Sequence, residues 1–147
     1  MRPPFALVLV LLASAVGCST YRDDLSRGQT AFEQSNHERA LALFRILEPD
    51  TSHLTTPERA HYAYLRGMTD YRIGYRSDAR HWLLVAQSME SETPGVLPAA
   101  WRTRLGEALV ELNDAVYQEG IESLSNAKKT KDEPVAAPTK KKSEDEP

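Results

Sequence analysis

The chain has 147 residues, enough for one modest domain and its flanking segments. Hydrophobic residues make up 41% and charged residues 27%, an ordinary balance for a soluble protein. The net charge of −3 gives no footing for nucleic-acid binding, which wants a basic surface.

The first twenty residues depart from that average. Arg2 and the amino group of Met1 form a short positive region, and Phe5 to Val16 is apolar except for Ser14. A membrane-spanning helix needs roughly 20 apolar residues, so this run is too short to cross and has the length of a signal-peptide core. It ends in Ala15-Val16-Gly17-Cys18-Ser19, and Cys18 is the only cysteine. These residues resemble the lipobox of bacterial lipoproteins, although Ala15 stands where leucine is commonest. The resemblance implies cleavage before Cys18 and covalent diacylglycerol and N-acyl chains on that residue. It also implies, with serine rather than aspartate following, an address on the periplasmic face of the outer membrane. A lone exported thiol has no internal disulfide partner, and several acyl chains at about 0.8 kcal/mol per buried methylene make a firm anchor. The divisions expected are a signal peptide over 1–17, a lipidated tether over 18–22, a helical domain over 23–126 and a disordered charged tail over 127–147.

Five helices are predicted in chain order. The first begins near Asp23 or Asp24 and presents Leu25, Gly28, Ala31 and Phe32. Asn36 caps the second, whose Ala40, Leu43, Phe44 and Leu47 fall at helical spacing before Glu48-Pro49-Asp50 ends it. Thr56-Pro57 starts the third, with threonine as N-cap, and Gly74 closes it. Ser77 or Asp78 opens the fourth, which runs to about Met89. Thr93-Pro94-Gly95 makes the next connection, and Pro98 starts a fifth helix through Trp101, Leu105, Leu109, Leu112 and Val116. No stretch alternates as a strand would. All six lysines lie after Ala127, among Pro134, Pro138 and Pro147, and such a segment buries too little surface to offset its chain entropy.

Gly28, Gly67 and Gly106 are each 39 residues apart, and the same step relates Ala40 to Ala79, Phe44 to Leu83, Phe32 to Tyr71 and Leu43 to Trp82. A fixed period of this size points to stacked helical hairpins. Gln34-Ser35-Asn36-His37-Glu38-Arg39-Ala40-Leu41 and the small residues Gly67, Gly74, Ala79 and Ala86 resemble tetratricopeptide repeats. Repeat families with similar hairpins and more variable length are the nearest alternative. The resemblance implies an all-α, short α-α hairpin solenoid of two full repeats plus a capping helix, with Gly28, Ala40, Phe44, Gly67, Ala79, Leu83 and Gly106 at packing positions. It departs from the family in its extra connecting residues, against a usual repeat of about 34. Ala31 and Asp70 also stand where an aromatic is preferred.

In such a solenoid the first helix of each hairpin lines a groove. That places His61, Tyr64, Met68, Tyr71 and Arg72 on a candidate partner-binding surface, since aromatics with an arginine dominate interface hot spots. The competing assignment is that Tyr64, Met68 and Tyr71 pack between hairpins. Residues 55 to 86 are locally basic and the last helix acidic, which either steers an acidic partner or forms a solvated face with i,i+4 pairs such as Arg66–Asp70. The four histidines show no metal-ligand spacing, and no nucleophile motif or phosphate loop is present, so neither an enzyme nor a cofactor beyond the lipid is expected. The expected role is an adaptor or assembly factor for an envelope complex, binding another envelope protein or a second copy of itself as a homo-oligomer. The alternative is a structural spacer that contacts the cell wall through its Lys/Pro-rich tail.

Overall fold

A computed structural model describes residues 17–124. Residues 1–16, with most of the expected signal peptide, and 125–147, with the expected tail, lie outside them. The described residues form five α-helices packed against one another and no strand. They are α1 (Gly17–Glu33), α2 (His37–Leu47), α3 (Thr56–Ile73), α4 (Arg76–Glu92) and α5 (Ala99–Glu119). Two 3-10 turns, Glu48–His53 and Ile121–Leu124, complete the chain order.

Local chemistry sets the boundaries. The Asn36 side-chain oxygen accepts the Arg39 amide at 3.3 Å, satisfying one of the donors left open at the start of α2. Pro49 falls two residues past the end of α2, and the chain tightens there into the first 3-10 turn. The N-cap of α3 is Thr55 rather than the expected Thr56. Glu58 selects it, because its carboxylate accepts both the Thr55 amide at 2.8 Å and the Thr55 hydroxyl at 2.7 Å, a reciprocal capping box. Those bonds, the hydroxyl's first, hold the Glu58 carboxyl below its ordinary range. Gly74 ends α3 at a φ of 96°, and the Asp70 carbonyl accepts the amides of Gly74 and Tyr75. α4 opens at Arg76, one residue earlier than Ser77. In the next connection the Glu90 carboxylate accepts the amides of Gly95 and Leu97 at 2.7 and 2.8 Å, fixing the entry to α5.

α1 is longer than expected. It takes in residues 18–22, where a tether was expected, and Cys18 stands in its first turn. Tyr21 stacks on His53 at 4.9 Å and Arg22 pairs with Glu58, so the helix meets the body from Tyr21 onward.

Helices joined by two or three residues and touching along their length run antiparallel. In the first hairpin a Cβ on Gly28 would lie 2.4 Å from the Phe44 ring; in the second, one on Gly67 would lie 2.8 Å from the Leu83 side chain and 2.9 Å from its backbone nitrogen. Glycine is required at both crossings by sterics alone. Ala40 and Ala79 are fully buried beside them. Gly106 differs: a Cβ there would meet nothing within 4 Å.

α3 and α5 run parallel. His61 and Tyr64 meet Trp101 near one end, and Tyr71 hydrogen-bonds Glu111 ten residues further along both helices. Tyr21 against His53, Arg22 against Glu58 and His61 against Val96 bring the start of α1 and both long connections to one end of the molecule. The tight turns at Gln34–Asn36 and Gly74–Tyr75 lie at the other.

Candidate functional site: a groove between three helices

α1, α3 and α5 enclose a cleft of about 520 Å³. Phe32 and Glu33 come from α1, Leu65 and Arg72 from α3, Trp101 and Arg104 from α5, and Ser35 and His37 from the first tight turn and the start of α2. A second cleft of about 430 Å³ continues along α3 and α5, lined by Met68, Tyr71, Arg72, Arg104, Glu107, Ala108 and Glu111. Arg72 and Arg104 belong to both, so the two clefts form one groove with two guanidiniums at its centre.

The charges of that groove are unevenly balanced. Among the described residues, the ion pairs engage Arg22, Arg27, Arg66, Arg76 and Arg102, and neither Arg72 nor Arg104. Glu111 accepts the Tyr71 hydroxyl and stands 3.7 Å from Arg76. That bond to Glu111, with some burial, pushes the Tyr71 hydroxyl pKa up. His37 lies 5.5 Å from Phe32, and its buried Nδ1 has no hydrogen-bond partner among the described residues. The groove thus combines aromatic walls, two arginines outside the ion pairs, the carboxylates of Glu33, Glu107 and Glu111, and an imidazole nitrogen with free hydrogen-bonding capacity.

The five residues expected on this surface separate into two groups. Arg72 is exposed in the groove, and Tyr71 is at its side, half-buried. Tyr64 and Met68 are 1% and 3% exposed and belong to the core. Trp101 covers Tyr64, stacking at 4.5 Å with ring planes 12° apart, and burial raises the Tyr64 pKa. His61 is half-buried under the same indole, with Nε2 3.2 Å from the Val96 carbonyl. For Tyr64 and Met68 the packing assignment is therefore correct, because α5 lies directly over the face of α3 that was expected to be open. Sequence reasoning missed Phe32, His37, Trp101 and Arg104 as lining residues. The 39-residue step from Phe32 to Tyr71 was a usable signal for the first of them.

A second expectation is overturned on the far side of α3. Arg66 and Asp70 are 5% and 0% exposed, and no solvated face exists there. Arg66 Nε donates to Asp70 Oδ2 at 2.9 Å, and an Arg66 terminal nitrogen donates to Glu48 Oε2 at 2.6 Å. The guanidinium also stands 5.5 Å from the centre of the Trp82 ring. Asp70 Oδ1 is buried with no partner among the described residues, and desolvation pushes the carboxyl pKa up to about 6 against the opposing pull of Arg66. Tyr62 donates its hydroxyl to the Phe44 carbonyl at 3.0 Å, and its pKa is pushed up to about 12 by burial. This cluster clamps α2, α3 and α4 together and faces no cleft of the groove. Among the described residues no three His, Cys, Asp or Glu side chains gather as metal ligands would.

Compared with known proteins, the chain matches no family model, no curated protein and no solved structure.

Proposed function

We propose that the protein is a lipid-anchored envelope adaptor, cut before Cys18, acylated there and held on the periplasmic face of the outer membrane, where it binds a segment of another envelope protein. The observation that carries the adaptor reading is the groove: Phe32 and Trp101 as walls, with Arg72 and Arg104 between them and outside the ion pairs of the described residues. Aromatic and arginine side chains in a concave, partly desolvated surface are the types that hold a peptide. Two free guanidiniums favour a segment carrying carboxylates, since complementary charge sets partner choice and encounter rate. We further propose that the two hairpins are repeat units of the tetratricopeptide kind with α5 as a third, incomplete unit. The equivalent contacts of Gly28 with Phe44 and of Gly67 with Leu83, one 39-residue step apart, support this.

The test uses a photo-crosslinking residue at Glu33, on the rim, in intact cells. Capture of one discrete envelope protein is expected, lost in an Arg72→Glu, Arg104→Glu double variant that melts like the parent. Capture of nothing, or capture that survives the double reversal, would end the groove reading. The address is tested separately: Cys18→Ser should move the protein from the membrane to the soluble fraction.

A further inference from the structure

α5 has an unfilled packing position of the kind that α1 and α3 have filled. Phe44 sits on Gly28 and Leu83 on Gly67, while the space above Gly106 holds nothing within 4 Å. A cleft of about 350 Å³ opens there, lined by Gln87, Glu90 and Ser91 of α4, Leu97 of the connection, and Arg102, Leu105 and Gly106 of α5. Val110 and Tyr117, four and eleven residues beyond Gly106, continue the same side of the helix at 62% and 86% exposure. Ile121, just past the helix end, is 73% exposed. Asn113, also on this side, accepts Arg80 Nε at 2.8 Å and ties α4 to α5 beneath. Apolar side chains of this size left open in a row mark a contact surface rather than scattered exposure.

We propose that this α4–α5 seat receives one helix of a partner protein. That helix is amphipathic, with a bulky apolar side chain for the Gly106 cleft and lysine or arginine along its outer flank. Both internal precedents define the shape: each places a helix with an alanine four residues before a bulky residue, Ala40 with Phe44 and Ala79 with Leu83, across the glycine. The flank chemistry follows from Glu107 and Asp114, which border the Val110 stripe on its solvent side at helical spacing. The 39-residue pattern brings no further helix of this kind between α5 and residue 147. One 39-residue step beyond Ala79 and Leu83 stand Gln118 and Glu122, and residues 125–147 hold only Ala127, Val135, Ala136 and Ala137 as apolar residues. A second copy fits poorly. Parallel pairing of two α5 helices sets Asp114 against Asp114. Antiparallel pairing points the two Cys18 ends in opposite directions, away from a shared membrane. That last exclusion rests on the lipid-anchor reading, whereas the seat does not, and it lies on a different side of α5 from Trp101 and Ala108.

The test measures binding to the full-length protein by fluorescence anisotropy. The probe is a labelled peptide of the α4 sequence, Arg76–Glu92, carrying Asp78→Lys, Glu90→Lys and Glu92→Lys. Saturable micromolar binding is expected, weakened about tenfold or more by Gly106→Leu in the protein and comparably by Asp114→Lys, as for loss of a central interface contact. Gly106→Leu should melt no lower than the parent because it fills open space; Val110→Glu, at an exposed position, gives the same readout should it not. The Arg72→Glu, Arg104→Glu variant should bind the probe normally, which separates this seat from the groove. Absence of binding below millimolar concentration, or binding indifferent to Gly106→Leu and Val110→Glu, overturns the proposal. So does a Val110 photo-crosslink that maps to residues 125–147 or to a second copy.

Discussion

α3 and α5 are parallel neighbours of similar length, yet one is enclosed and the other half-open. Every residue of α3 from Tyr62 to Asp70 is buried, so the helix has no solvent face over more than two turns. α5 buries Leu105, Ala108, Leu109 and Leu112, a single stripe. The difference is one of neighbours: α3 is covered by α1, α2, α4 and α5, whereas α5 has α3 and α4 on its inner side. An enclosed helix must settle every polar group it carries inside the protein. A half-open helix can leave glycine, valine and tyrosine uncovered and still fold. The same residue type therefore carries opposite meaning in the two places, structural at Gly67 and available at Gly106.

The comparison breaks most severely at Arg66. Arg66→Ala would strand the Asp70 carboxylate in the core, and removing one partner of a buried pair costs about 3–5 kcal/mol. Chemical denaturation should show it, and a loss of under about 1 kcal/mol, the level of a surface pair, would mean that α3 is not enclosed there. The glycines give a matched pair of smaller effects. Gly67→Ala drives a methyl group onto the Leu83 backbone and should cost about 1–3 kcal/mol by overpacking. Gly106→Ala meets open space and should stabilise by about 0.5–1 kcal/mol through helix propensity alone. Equal effects at the two sites would erase the distinction between the helices.

The most specific of the expected effects is a pH dependence. Asp70 has its folded-state pKa raised from 3.8 to about 6, so the native state holds that proton more tightly than the unfolded chain does. The sign follows: stability is undiminished below about pH 4 and declines as pH rises through about 6. At about 1.4 kcal/mol per unit the decline is at most about 3 kcal/mol. Asp70→Asn should remove it. A difference between parent and variant that stays flat from pH 4 to 7 would show that Asp70 is not desolvated.

Much of this was legible in the sequence where the signal is local. Asn36, Gly74 and Pro98 mark helix ends by capping and backbone chemistry, and the structure has its boundaries there. Glu58 could have distinguished Thr55 from Thr56, because a capping box needs the acid three residues on. The 39-residue step located both glycine crossings. What stayed hidden depends on which faces meet. An arginine and an aspartate four apart look the same on a wet helix and on one enclosed by four others, so Arg66–Asp70 read as surface. Tyr64 read as groove because nothing local says that Trp101, 37 residues later, lies flat on it. Gly106 matched the register of its two predecessors, and only the missing helix opposite makes it different.

The gathering of the α1 start with both long connections at one end has a mechanical consequence. With acyl chains on Cys18, the first turn of a helix packed through Tyr21 and Arg22 onto the body would leave almost no slack between lipid and domain. The module would then stand upright on the bilayer like a post, with its two long connections at the headgroups. α5, at about 1.5 Å per residue, would carry the chain roughly 30 Å outward before Gly120. Such a post would fix height and bearing together: whatever the groove or the Gly106 seat engages would be met at a set distance from the membrane.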